Sequence, residues 1–359
     1  MVALVAGRRL LPESRDPAQP RLDVGGAVLP IVGLTALIWT LIEAPHNGWS
    51  DAVTVGGLAL AFAVGVAFVA WERRSDHPML DLRFFDDRRF SVSTGAITFV
   101  MFAMFGSFFI MTQLLQLGLG YSAFEAGVRM LPVAATMFVV APASAKLVER
   151  LGTKLVVGTG LAGVSLGLLL TSRIEVTDGY GSIATAMVVL AFGMALVMAP
   201  ATEAIMGSLP PAKAGVGSAV NDTTREVGGA LGVAVLGSVL SSIYGSRMAD
   251  ALEGSELPVE VRSVVEESLG GVLAVAGRIG GDTGATLAAV ARDAFVDGMG
   301  VALVIGAVVA LVGSIGVFAF LPSRGRTEDL VPETAPAPEL EAAPGADATP
   351  ELEAASSAA

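Results

Sequence analysis

Between residues 198 and 232 the chain reads MAPATEAIMGSLPPAKAGVGSAVNDTTREVGGALG, small and apolar except for Glu203, Asp222, Arg225 and Glu226. A carboxyl at membrane depth favours its neutral form, the property of a proton carrier, and Glu203 is the candidate for that role. In the bland alternative Glu203 is an interfacial carboxylate, hydrated or paired with Lys213. Asp222, Arg225 and Glu226 are spaced i, i+3, i+4 and share one helix face. Either Asp222 neutralises Arg225 as a structural cluster, or Arg225 trades partners between Asp222 and Glu203 as the helices move. Further polar candidates are Thr112, Gln113 and Gln116 in one apolar stretch and Arg129 in the next, where Glu125 four residues earlier is its expected ion-pair partner. Met101 and Phe105 belong to a stripe of Met and Phe between 101 and 109, either an adaptable substrate wall or a plain packing face.

These residues must be positioned by helices in lipid. The 359 residues are 53% hydrophobic and only 16% charged, with mean hydropathy +0.69, where a soluble domain carries roughly a quarter charged residues. A helix needs about 20 apolar residues to cross a bilayer, and eight stretches meet or approach that: 24–42, 53–71, 91–117, 127–145, 155–171, 183–206, 214–243 and 295–321. The expected fold class is therefore an all-α polytopic membrane protein with eight transmembrane helices. With no cysteine, disulfides and thiolate metal sites are excluded, and Met1–Gly7 is too short for the apolar core of a signal peptide. Of 22 Lys and Arg, 15 fall in segments 1–23, 72–90, 146–154, 207–213 and the C-terminal tail, against five in the alternate segments. That bias predicts both termini in the cytoplasm. The net charge of −12 comes from two appendages, segment 244–294 and the tail after Arg326. The tail reads as a disordered acidic segment; within 244–294, apolar spacing over 259–279 suggests one short surface helix.

EAGVRML (125–131) and KAGVGSA (213–219) open two spans of opposite direction, the pattern of an inverted repeat. Polar groups avoid lipid, so spans 91–117, 127–145, 183–206 and 214–243 are expected to line an interior, and 155–171 and 295–321 to face lipid. GTGLAG (158–163) matches a dinucleotide fingerprint, but no strand precedes it; its glycines, with Gly167, Gly228 and Gly232, suit close helix packing instead. His46 and His77 are expected on opposite sides of the membrane and make no shared metal site. No catalytic, phosphate or metal constellation appears, so neither an enzyme nor a cofactor is expected, and no nucleic-acid partner.

The combination LDVGGAVL, LIEAPHNGW, WERRSDHPMLDLRFFDDRRF, GYSAFEAGVRMLP, APASAKLVERLGTK and VNDTTREVGGALGVAVLGSVL resembles the fourteen-helix drug:proton antiporters of the major facilitator superfamily. The resemblance runs from Leu10 to Pro322. It implies that 24–71 is the family's central helix pair and 91–321 its C-terminal six-helix half, joined by a cytoplasmic loop over 72–90. AKLVERLGTK resembles the superfamily's loop signature G-x-L-x-D-R-x-G-x-R/K, with Ala145 for the first Gly and Glu149 for Asp. It makes Lys146, Glu149, Arg150, Gly152 and Lys154 a candidate gating loop. Residues 1–23 resemble the end of a sixth helix and its exit loop, so the chain is expected to be a partial major facilitator fold lacking the first six helices. The implied function is proton-coupled export of hydrophobic or cationic small molecules by alternating access, in the cell membrane, driven by the proton gradient, with a separate N-terminal half as a further partner. The alternative is a non-transporting remnant or a helical partner subunit.

Overall fold

A computed structural model describes residues 23–75, 78, 80–210, 213–253 and 259–322. The expected stub before residue 23 and the tail beyond 322 lie outside these. Eight helices or helix pairs are long and apolar enough to cross a membrane, matching the eight expected spans, and no strand occurs among the described residues.

Helix α1 (Val24–Asn47) starts where Asp23 accepts a hydrogen bond from Gly26 N at 2.8 Å. Helix α2 (Ala52–Glu72) starts at Asp51, which accepts from Val53 N. Both are N-caps that satisfy amide donors the first turn leaves open. The two helices pack closely through Gly33 against Val64 and Gly57 against Thr40. A 3-10 turn over Leu82–Asp86 leads into α3 (Arg88–Gln113), capped by Asp87, which accepts from Arg89 N and Phe90 N. The segment 72–90 is thus not all loop. At its far end α3 runs on as a π-helical turn, Leu114–Gly118.

A short α4 (Ala123–Arg129) and α5 (Leu131–Leu151) make one span with a break at Met130. Then follow α6 (Thr153–Thr171), α7 (Tyr180–Met206), α8 (Ala214–Ala251), α9 (Val259–Glu267), α10 (Leu269–Ile279) and α11 (Gly281–Phe320). The core is built by α3, α6, α7, α8 and α11, with α5 resting on α7 and α1 on α8.

Glycines set two tight seams, as expected for Gly160, Gly163, Gly167, Gly228 and Gly232. Between α6 and α7, a Cβ at Gly160 would lie 3.0 Å from the Gly193 carbonyl and one at Gly163 3.2 Å from Gly193 Cα. Between α3 and α8, a Cβ at Gly228 would sit 2.7 Å from the Thr98 carbonyl, and one at Gly232 would strike the Phe102 carbonyl. Small residues let backbones approach where lipid offers no hydrophobic drive for association. Two buried hydroxyls tie α6 to α11: Ser165 donates to Ala307 O and Ser314 to Gly158 O, each at 2.8 Å. The outward faces of α6 and α11 are apolar, with Leu166, Leu169, Val304, Val308 and Leu311 exposed.

The described part of segment 244–294 is largely helical. Helices α8 and α11 have 38 and 40 residues, about 57 and 60 Å at 1.5 Å per residue, roughly twice the hydrocarbon thickness. Their projecting ends pack with α9 and α10 into a helical cap around buried Met248, Val265, Leu269 and Val272. The charges near Arg247 and Arg292 end the apolar pattern there without ending the helices. The expected single helix over 259–279 is two, because Ser268 breaks it and caps α10, accepting from Gly271 N. Tyr244 is buried under the cap and its hydroxyl donates to Val265 O at 3.2 Å.

Candidate functional site

The candidate residues fall into three places. The first is the contact between α7 and α8 near the ends the Lys/Arg bias assigns to the cytoplasm. There Arg225 Nη2 donates to Thr202 Oγ1 at 2.9 Å, and that hydroxyl donates to buried Asn221 Oδ1 at 3.4 Å. The Arg225 Nε is buried without a hydrogen-bond partner. No ion pair among the described residues joins Arg225 to Asp222, Glu203 or Glu226, so the expected neutralised cluster is not formed. The guanidinium instead reaches across to α7, while Glu203, Asp222 and Glu226 are exposed on this chain. The arrangement is a cation held by a hydroxyl, with three carboxylates near it in sequence and none bonded to it.

The second place is the opposite end of α3. Gln113 and Gln116 are half-buried at and in the π-helical turn, a deformation frequent at functional sites. Arg129 lies with its guanidinium carbon 3.7 Å from the centre of the Tyr121 ring and 5.8 Å from that of Tyr180. The Tyr180 hydroxyl donates to the Arg129 carbonyl at 2.7 Å. The expected Glu125–Arg129 ion pair is not made: Glu125 Oε2 accepts from Ser122 N at 2.9 Å and from Ser122 Oγ at 3.0 Å, closing a capping box. An open amide and a hydroxyl at a helix start hold a carboxylate better than an exposed i, i+4 pair, and Arg129 takes the aromatic faces instead. Met101 and Phe105 separate: Met101 is buried in the seam against Gly228, and Phe105 is exposed and lies over Gly229.

The third place is the turn between α5 and α6. Gly152 takes φ +83°, a left-handed conformation that suits glycine and reverses the chain between two spans. Lys146, Glu149 and Arg150 are exposed and Lys154 half-buried, and none of the four makes an ion pair or side-chain hydrogen bond among the described residues.

A fourth constellation escaped the sequence reading. Trp71 Nε1 donates to Asp23 Oδ1 at 2.9 Å, closing the α1–α2 pair, and Leu80 N donates to Glu72 Oε2 at 3.2 Å. The Gly26 amide, then the Trp71 indole, hold the Asp23 carboxyl below its ordinary range. The readable signals were an Asp immediately before an apolar helix and a Trp at a span boundary.

Eight spans of helix, buried polar contacts at membrane depth and glycine seams between helices define a multi-pass helical membrane protein. The chain belongs to the Major Facilitator Superfamily, whose sequence profile matches residues 22–233. It is 33% identical over 345 residues to the tetracenomycin C resistance and export protein of Streptomyces glaucescens, covering 94% of this chain and 63% of that one. The multidrug efflux pump LfrA of Mycolicibacterium smegmatis is 34% identical over 312 residues, 86% of this chain and 60% of its own length. The multidrug resistance protein Stp of Mycobacterium tuberculosis is 36% identical over 245 residues, 67% of this chain and 45% of that protein. The chain thus spans between 45% and 63% of the lengths of these three relatives.

Proposed function

We propose that the chain forms the central helix pair and C-terminal half of a fourteen-helix proton-coupled exporter of hydrophobic or cationic small molecules. The names of the relatives, which speak of export, multidrug efflux and resistance, support the class of activity. The observation that carries the reading is the contact of Arg225 with Thr202, with Glu203, Asp222 and Glu226 open around it on membrane-crossing helices. Charged groups within a span are costly unless they serve a pathway or a partner. In the working transporter a second six-helix half, in the same polypeptide or a separate one, covers these faces. Glu203 carries the proton, and Arg225 passes from Thr202 to a carboxylate when that proton leaves. Gln113, Gln116, Phe105 and Arg129 meet the substrate, and the turn at Gly152 acts in gating. Both ends lie in the cytoplasm, by the Lys/Arg bias. The proton gradient is the energy source and no bound cofactor takes part; one proton moving through 100 mV supplies about 2.3 kcal/mol.

The test is efflux of ethidium from cells carrying the complete transporter, with and without a proton gradient. Glu203→Gln is expected to abolish gradient-dependent efflux while leaving the protein in the membrane. Undiminished efflux in that variant removes Glu203 from the mechanism.

A further inference from the structure

Two cavities flank α2, and they differ in charge. The first, of 640 Å³, separates the α1–α2 pair from the first half of α8. Its origin is a wedge. The pair is pinned to α8 at the capped end, where Ser238 Oγ donates to the Leu41 carbonyl and Trp49 Nε1 to Ser242 Oγ. Toward the other end the facing positions are small: Gly26 and Gly33 on α1, Ala61 and Gly65 on α2, Gly215 and Ala219 on α8. With little side-chain volume to fill it, the gap between the helices stays open. Its wide end carries acidic groups. A point just above Gly26, where a Cβ would stand, is 2.5 Å from Glu72 Oε1 and 2.8 Å from Asp23 Oδ2.

The second cavity, of 660 Å³, is an open groove along α2. Phe62, Val66, Val69 and Arg73 line it at i, i+4, i+7 and i+11, one face of the helix, and Arg74 closes its end. Phe62 is 76% and Val66 54% exposed, so this apolar face meets lipid. Arg73 and Arg74 are exposed, and neither is in an ion pair among the described residues. Glu72, between them and the helix, lines the wedge and not the groove. The last carbonyls of α2 carry about half a negative charge, against two full positive ones, so the end of the groove attracts an anion. Length narrows the choice further. From Phe62 to Arg73 is eleven residues, about 16 Å at 1.5 Å per residue, and one leaflet of hydrocarbon is about 15 Å deep. A lipid chain laid along the groove therefore brings its headgroup to the arginines. Trp71, exposed beside them, marks the same interfacial depth. The Lys/Arg bias assigns this end to the cytoplasm, where the leaflet carries the anionic lipids.

We propose that the groove on α2 binds one anionic phospholipid. Its phosphate sits at Arg73 and Arg74, and one acyl chain lies along Val69, Val66 and Phe62. The lipid anchors a helix pair that otherwise packs mainly on itself and on α8. Nothing in this assignment rests on transport.

The experiment is native mass spectrometry of the 36.5 kDa chain in a non-ionic detergent, with dioleoyl phosphatidylglycerol and dioleoyl phosphatidylcholine added in equal amounts. Saturable binding of one phosphatidylglycerol is expected, preferred over phosphatidylcholine at least about tenfold. Arg73→Gln with Arg74→Gln is expected to remove the preference, and Arg73→Lys with Arg74→Lys to keep it. Arg88→Gln with Lys213→Gln takes the same charge from the same end of the molecule, outside the groove, and is expected to change nothing. Glycerol phosphate, the headgroup without chains, is expected not to displace the lipid. If the double Gln variant does not insert, Arg73→Gln and Arg74→Gln singly decide, each losing part of the preference. Equal binding of the two lipids, a preference that survives loss of the arginines or is lost equally in the control, or displacement by glycerol phosphate overturns the site. None of these results bears on Glu203-dependent efflux, which is read separately in the complete transporter.

Discussion

Helix α8 meets α3 and α1 with the same kind of residue and obtains opposite results. Against α3 it offers Gly228 and Gly232, and the backbones close until no Cβ would fit. Against α1 it offers Gly215 and Ala219, and a 640 Å³ cavity remains. The difference lies in what the partner is held by. Helix α3 is 61% buried over its apolar window and wedged among α7, α8 and α11, whereas α1 and α2 are only 17% and 11% buried. A small residue permits close approach; a second set of contacts on the far side of the partner is needed to enforce it.

That comparison is broken most severely at the seam. Gly232→Val drives a branched side chain into the Phe102 backbone and is expected to cost about 3 kcal/mol. Gly65→Leu, into the cavity, is expected to stay within about 0.5 kcal/mol. Thermal unfolding of both in nanodiscs checks the contrast, and similar values for the two would mean the seam is no tighter than the wedge.

A smaller effect is expected at the third contact of α8. Thr202→Val leaves Arg225 without its acceptor, a loss of about 1–3 kcal/mol, while Thr202→Ser restores it. Equal stability of Val and Ser variants would show that the hydroxyl does not hold the guanidinium.

The pin of the wedge comes next. Ser238→Ala removes one bond to the Leu41 carbonyl, worth about 1 kcal/mol. It is expected to raise amide exchange throughout α1 while leaving α3 unchanged. Uniform exchange across both helices would argue against a pin.

The smallest effect belongs to the clasp at the wide end. The folded carboxyl of Asp23 titrates below its ordinary value of 3.8 because the Gly26 and Trp71 N–H groups favour its charged form. Its contribution is therefore complete above that value and is lost as pH falls through the lowered one. Trp71 fluorescence should be flat from pH 8 to 5 and shift only in stronger acid, and Asp23→Asn should show no such acid transition.

The eight spans were legible because hydrophobic length accumulates along the chain and needs no knowledge of neighbours. Glycine seams were legible for a related reason, since Gly at helical spacing in an apolar stretch has few other uses. The capping box at Ser122–Glu125 was also open to reading, as a Ser with Glu three residues on. It was overlooked in favour of the i, i+4 pair because local spacing ranks candidates without weighing the open Ser122 amide and hydroxyl that compete for the carboxylate. Arg225 was harder: Thr202 is 23 positions earlier on another helix, and nothing in the spacing of Asp222 and Glu226 signals it.

Sequence alone therefore determined that this chain has eight spans apolar enough to cross a membrane, which glycines suit close helix packing and which family's motifs it carries. These follow from transfer of side chains to lipid and from the absence of a Cβ, both properties of single residues. Only the tertiary structure decided that the span-boundary charges do not end α8 and α11, that Arg129 rests on Tyr121 and Arg225 on Thr202, and that α1 and α2 stand away from α8 over two facing carboxylates. Each of these is a competition among partners distant in the chain, and such a competition is resolved only when packing brings the competitors within reach.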